Sequence, residues 1–144
     1  MVTISESRSF NANLDSLSPI REFITDSGKS IGLDKNRIYQ LCLAVDEIAT
    51  NIINYGYAES GIVHGSIDIT LHSDDKVLSV ILEDMAVPFN PFEINIPGDK
   101  ELSLPLDERP IGGLGIMLAK ESVDVFRYEY KNGKNRNIFC INIR

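Results

Sequence analysis

Three short stretches of the chain group carboxylates, amides and glycines in patterns suited to a ligand. In the first, Glu47 and Asn51 stand four residues apart. On a helix that spacing puts both side chains on one face, a turn from each other, and Asn54 and Tyr55 continue the face. Asparagine is a poor residue for a helix interior, so two of them need a reason beyond propensity. A carboxylate beside an amide oxygen suits a hard cation such as Mg²⁺, which takes few protein ligands and keeps waters and phosphate oxygens. A solvated polar face is the other reading. The second stretch is Glu83-Asp84-Met85-Ala86-Val87-Pro88-Phe89-Asn90-Pro91, where Asp84 closes an apolar run and either begins a turn or faces a ligand. The third is Arg109-Pro110-Ile111-Gly112-Gly113-Leu114-Gly115-Ile116-Met117. Glycine-rich backbone entering a helix presents free N–H groups and the positive end of the helix dipole, both suited to phosphate. No Gly-Lys-Ser/Thr follows, so this is not a P-loop, and a flexible turn is its plainer meaning.

The elements that must position these residues are legible from periodicity. An amphipathic helix is expected from about Asp15 to Ser27, with Leu17, Ile20, Phe23 and Ile24 on one face and Pro19 in the first turn. Gly28 and Gly32 are expected to flank its break. A longer helix is expected from Asp34, its N-cap, to Tyr55, with Gly56 as the stop. Its core stripe is Ile38, Leu41, Cys42, Val45, Ile48 and Ile52. The period then changes to two: Ile67, Ile69 and Leu71 alternate with Asp68, Thr70 and His72, a half-buried strand. Val77 to Asp84 reads as a central strand. A proline-punctuated stretch of about twenty residues follows, and a loop that long in a small domain usually has a function. A helix from Gly113 to about Ser122 and a hairpin about Asn132-Gly133 end the chain, with strands at Val125–Tyr130 and Asn137–Ile143. A further strand is expected at Val2–Phe10. Helices on one face of a largely antiparallel sheet make a two-layer α+β domain.

Composition sets the outer bounds. The 144 residues are expected to form one domain, 1–144, large enough to bury its own core. A net charge of −7 argues against non-specific nucleic-acid binding, which depends on neutralising phosphates. No apolar run approaches a membrane span, and residues 1–13 lack the cationic start and apolar core of a signal peptide. Cys42 and Cys140 sit in apolar patterns as buried thiols. Cytoplasmic residence is the expectation.

The order of the three stretches carries more than each alone. Glu-x-x-x-Asn on a helix, an Asp ending a strand and a glycine-rich helix start resemble the GHKL ATPases. Within them, Ala44-Val45-Asp46-Glu47-Ile48-Ala49-Thr50-Asn51, Pro88-Phe89-Asn90-Pro91, Gly112-Gly113-Leu114-Gly115-Ile116, Asp124 and Asn132-Gly133-Lys134-Asn135 resemble the anti-sigma-factor serine kinases of the RsbW and SpoIIAB type, over about residues 10 to 143. The resemblance implies the Bergerat, histidine-kinase-like ATPase fold, a two-layer α/β sandwich with a mixed, mostly antiparallel sheet. It implies ATP and Mg²⁺ as cofactors, with Asn51 as metal ligand and Glu47 as the catalytic residue, acting as general base or positioning the nucleophile. Asp84 would accept from the adenine amino group, and Gly113, Leu114 and Gly115 would wrap the phosphates beneath a lid within residues 92–111, where Lys100 and Arg109 are the basic residues. Asn54, Ala86, Phe89, Gly112 and Ile116 complete the implied nucleotide site. The partners implied are a sigma factor or similar regulator and a STAS-domain anti-anti-sigma protein phosphorylated on serine, with no direct nucleic-acid or membrane contact, and a homodimer. An alternative is a nucleotide-binding interaction switch that transfers no phosphate. One departure stands out: Ala86 occupies a position that is usually glycine, where a methyl group would tighten the adenine pocket.

Overall fold

The computed structural model describes residues 3–93 and 113–143. In chain order these form β1 (Ile4–Asn11), a 3-10 turn (Leu14–Ser16), α1 (Leu17–Ser30), α2 (Lys35–Asn51), a π-helical turn (Ile52–Gly56) and α3 (Tyr57–Ser60). Then come β2 (Ser66–Ser73), β3 (Val77–Asp84), a 3-10 turn (Pro91–Glu93), α4 (Gly113–Ser122), β4 (Val125–Lys131) and β5 (Lys134–Asn142). The expected lid lies, but for residues 92 and 93, outside the described residues, as do Lys100, Arg109 and Gly112.

Alternation along the strands decides which face of the sheet is covered. Ile67, Ile69 and Leu71 of β2, Leu78, Val80 and Leu82 of β3, and Phe139 and Ile141 of β5 are all fully buried, while the residues between them are half-buried or exposed. One face of the sheet therefore carries the core, and burying each such side chain contributes about 1.5–3 kcal/mol. The strand order is β1-β2-β3-β5-β4, so β3 is central as its apolar run predicts. Each pairing is antiparallel. The β4–β5 hairpin turns on Asn132 and Gly133, both at positive φ (55° and 77°), the geometry an Asn-Gly pair adopts at low cost. Ile20, Phe23 and Ile24 of α1 and Ile38, Leu41, Val45 and Ile48 of α2 close the second layer. Asp34 caps α2, its carboxylate accepting from Arg37 N at 2.9 Å.

Two helix boundaries differ from the sequence expectation. Helix α1 runs past Gly28 to Ser30. Gly28 is not a break but a packing contact, since a Cβ there would stand 2.9 Å from Ile38 Cγ1 on α2. Nor does the second helix stop at Gly56. It widens into the π turn and continues as α3 to Gly61. The reason is what α3 carries. Buried Tyr57 donates its hydroxyl to Ser66 O at 2.6 Å and accepts from Met85 N at 2.9 Å, tying the end of the helix to the starts of β2 and of the loop after β3. Cys42 is buried as expected, whereas Cys140 is only half-buried. His64 and His72 are exposed.

Tyr57→Phe leaves the Met85 N–H and the Ser66 carbonyl without their partner. The expected loss is about 1–3 kcal/mol, a fall in Tm of several degrees, measurable by thermal unfolding followed by circular dichroism. An unchanged Tm would show that the hydroxyl is dispensable.

Candidate functional site

The loop that follows β3 holds no regular structure from Met85 to Asn90, yet four of its backbone N–H groups are satisfied by side chains. Met85 N donates to Tyr57 Oη, Ala86 N to Asp84 Oδ1 at 3.0 Å, Val87 N to Ser60 Oγ at 2.8 Å and Phe89 N to Asn135 Oδ1 at 3.0 Å. Position 88 is proline and has no N–H to satisfy. Two of these acceptors come from α3, which explains in physical terms why the helix does not end at Gly56. Asn135, opposite Asp84 in the β3–β5 ladder, is the hub. Its Nδ2 donates to Asp84 Oδ1 at 2.9 Å, Val87 O at 3.0 Å and Ala86 O at 3.2 Å, and its Oδ1 also accepts from the Tyr128 hydroxyl.

This loop, α2 and the π turn enclose a recess against the sheet, lined by Ile48, Asn51, Ile52, Gly56, Asp84, Ala86, Val87, Phe89, Pro91, Asn135 and Asn137. Its enclosed volume is about 20 Å³, within a partly open hollow of about 340 Å³ that includes the solvent at its mouth. The inner part has room for about one water, so admitting a larger group requires the walls of the recess to move apart.

The chemistry of the recess is set by what is left unpaired. Asp84 is 3% exposed. Its Oδ1 is taken by Ala86 N and Asn135, and its Oδ2 has no partner among the described residues. Burial pushes its carboxyl above the ordinary range, while the bonds from Asn135 and Ala86 N hold it partly down. A buried carboxylate oxygen facing a pocket is an acceptor waiting for a donor, and an exocyclic amino group of a purine fits it.

Ala86 is also buried. Its φ is not positive, so alanine carries no backbone strain there. A Cβ built on Gly56 would come within 3.2 Å of the Ala86 methyl. The methyl group that replaces the usual glycine is thus accommodated by a glycine in the π turn.

One turn before Asn51, Glu47 is half-buried. Desolvation raises its pKa, with a smaller contribution from the neighbouring Asp46 charge. Its carboxylate lies against α4 so closely that a Cβ at Gly115 would overlap Glu47 Oε2. The glycine-rich start of α4 is therefore needed for contact with α2 as well as for exposed backbone. Asn51 is half-buried, lines the recess and has an unpartnered Nδ2. Among the described residues no group of three or more His, Cys, Asp and Glu side chains converges. A cation here would use the Asn51 amide, with Glu47 nearby, and complete its shell with water and phosphate oxygens, a donor set that fits Mg²⁺.

The remaining sequence candidates are divided. Phe89 and Ala86 line the recess. Asn54 is exposed and outside the lining, because the π turn changes the register after Asn51. Ile116 is 2% exposed and packs into the core, leaving only its backbone for a ligand. Gly113 and Leu114 belong to the first turn of α4. Sequence reasoning gave no role to Asn135, Asn137, Tyr57 or Ser60. Counting back in twos from Phe139 and Ile141 places Asn137 and Asn135 on the core face, and that signal was available.

Residues 10–141 match the model of the histidine kinase-like ATPase domain. The chain belongs to that family. As a member, it carries an ATP-binding type of domain, and the recess lies between the strand-ending Asp84 and the helix bearing Glu47 and Asn51. No match was found among curated proteins. In fold the chain is similar to the crystal structure of the RsbU and RsbW domains of Rv1364c from Mycobacterium tuberculosis. The TM-score is 0.66 at 15% sequence identity, covering 96% of this chain and 32% of that one, so the chain spans about a third of that structure. Among the described residues, no helix is long and apolar enough to cross a membrane.

The raised carboxyl of Asp84 gives a signed prediction. A group whose pKa is higher in the folded protein lends stability below its unfolded pKa and loses it as pH rises through the folded value. Ionisation of Asp84 is therefore a liability of the unliganded protein. Asp84→Asn keeps an Oδ1 for Ala86 N and Asn135 but removes the charge. Denaturant unfolding without nucleotide should favour the variant relative to wild type more at pH 7 than at pH 4, while nucleotide binding is lost. A relative advantage greater at pH 4 would contradict the burial argument.

Proposed function

We propose that this domain binds Mg-ATP in the recess and transfers the γ-phosphoryl group to a serine of a STAS-type anti-anti-sigma protein. In another state it holds a sigma factor or similar regulator. The single observation that carries the nucleotide reading is the free Oδ2 of buried Asp84, which is suited to an adenine amino group. The fold-level likeness to a structure containing an RsbW domain and the motif resemblance support the regulatory reading.

The roles follow from position and chemistry. Asp84 Oδ2 accepts from the base. The first turn of α4, with Gly113, Leu114 and Gly115, offers backbone N–H groups and the positive end of its dipole to the phosphates. Asn51 would hold Mg²⁺, whose chemistry when bound is neutralisation of phosphate charge. Glu47, half-buried and with its pKa displaced upward, takes the proton of the attacking serine hydroxyl. The serine oxygen bonds to the γ-phosphorus as the bond to the β–γ bridging oxygen breaks, and ADP leaves. A carboxylate whose pKa is raised accepts that proton more readily. Contact between Glu47 and Gly115 keeps the base beside the phosphate-binding turn, the kind of positioning on which phosphoryl transfer depends.

Incubation with labelled ATP and a STAS protein encoded nearby tests the assignment. Phosphoserine on that protein is the expected result. Glu47→Gln should retain ATP binding by calorimetry and lose transfer by about 10²-fold or more. Nucleotide binding with no phosphoserine under any condition would instead favour an ATP-gated interaction switch. If transfer is seen, the acid limb of its pH profile should lie above the usual carboxylate range and move down in Asp46→Asn, because the Asp46 charge is one of the two causes that raise Glu47.

A further inference from the structure

Four buried side-chain polar atoms lack a hydrogen-bond partner among the described residues: Asp84 Oδ2, Asn51 Nδ2, Asn137 Oδ1 and Arg136 Nε. Arg136 Nε still has Glu129 Oε1 at 3.0 Å. The other three all belong to residues lining the one recess. Native proteins keep few such groups, since each costs about 1–3 kcal/mol when left dry. Their gathering around a single hollow with room for about one water means that a ligand entering it must supply two donors and one acceptor in the water's place.

Asn137 is the least expected of the three. It sits on β5 opposite Leu82, at 3% exposure, on the face that buries Phe139 and Ile141 two and four residues later. A leucine or valine would satisfy that position better if packing alone mattered. Unlike Asn135, which is saturated by the loop, Asn137 offers its oxygen to the recess.

The three atoms amount to two acceptors and one donor. The edge of adenine bearing its amino group presents two N–H hydrogens and a ring nitrogen that accepts. A 6-oxo purine places an acceptor where adenine has its amino group and would face two acceptors. Resting on the nucleotide reading above, we propose that Asn137 is a base-reading, specificity-determining residue. Its Oδ1 accepts the second hydrogen of the amino group whose first hydrogen goes to Asp84 Oδ2. Asn51 Nδ2 donates to a ring nitrogen, leaving the Asn51 oxygen free for the cation. Two acceptors on one amino group exclude a 6-oxo purine more strongly than Asp84 alone, because either would be left against a lone pair.

The test uses calorimetric titration of ATP and inosine triphosphate, which has oxygen in place of the amino group, into wild type and Asn137→Leu, with thermal unfolding of each protein free of nucleotide. The leucine variant is near in size and removes a buried polar orphan, so its unliganded Tm should equal or exceed that of wild type. Its ATP affinity should fall about tenfold, equivalent to about 1.4 kcal/mol, while its affinity for inosine triphosphate hardly changes, so the preference for ATP narrows. Asn137→Thr, which keeps an acceptor, should retain part of that preference and serves if the leucine variant does not fold. Equal loss of both nucleotides, or ATP binding unchanged in the leucine variant, would overturn the role of Asn137 while leaving the ATP site intact. A threonine variant with no residual preference would overturn the hydrogen-bond account. Wild type that binds neither nucleotide would overturn the nucleotide reading itself, and this inference with it.

Discussion

A carboxylate buried with one oxygen engaged and the other free is the constraint on which the rest of this structure turns. Removing Asp84 from water is costly, and the fold offsets only part of that cost through Ala86 N and the Asn135 amide. Those two bonds fix the direction of the free oxygen. They also require that β5 bring an amide opposite Asp84, and that the chain after β3 curl so that its next N–H returns to the same carboxylate. The hairpin of β4 and β5 is in this sense part of the site. Tyr128, on β4, holds the Asn135 oxygen from the other side, so both strands at that edge of the sheet contribute to orienting one buried charge.

The helix side meets the same demand by a different device. A loop with regular conformation nowhere between Met85 and Asn90 must find partners for its N–H groups, and it finds two of them on α3. An uninterrupted α-helix from Lys35 would carry Tyr57 and Ser60 around the axis to other angles. The π turn adds the residue that corrects this, at the level where Ile52 and Gly56 form a wall of the recess, in keeping with the frequent placement of such turns at functional sites. Gly56 then meets Ala86. The wall is built from the smallest side chain so that the opposite one can carry a methyl group, and the departure at Ala86 is matched on the facing element without backbone strain.

Much of this was legible in the sequence, and what was not had a physical cause. The stripe of Ile38, Leu41, Val45 and Ile48 repeats at helical spacing for long enough to fix α2, and Ile67, Ile69 and Leu71 alternate cleanly enough to fix the inner face of β2. Asp84 could be placed at the end of a central strand because Val77 to Leu82 is almost wholly apolar. The π turn was not visible, since Asn54-Tyr55-Gly56 is a good helix ending by local rules, and only the tertiary need for Tyr57 and Ser60 overrides it. The asparagines of β5 were missed for a different reason. In Lys134-Asn135-Arg136-Asn137 both faces are polar, so alternation gives no phase there, and the phase had to be carried back from Phe139 and Ile141. Ile116 shows the converse: its place in a glycine-rich motif suggested a ligand contact, while its apolar side chain answered to the core.

Helix α2 connects the two ends of the site. Asn51 is at the recess, and Glu47, a turn earlier, lies against Gly115 of α4. Because the helix is rigid over that one turn, the distance from the recess to the first turn of α4 is set by backbone geometry and by the closeness of the α2–α4 contact that Gly115 permits. Among the described residues no hydrogen bond joins Glu47 to Asp84, Asn135 or Asn137. On the proposed roles, the acceptors Asp84 and Asn137 and the proton acceptor Glu47 stand apart, with Asn51 between them on α2. With those proposed roles, a chain built this way can lose transfer and keep nucleotide-dependent binding by a change at Glu47 alone, so the kinase and the ATP-gated switch would differ by one carboxylate within one fold.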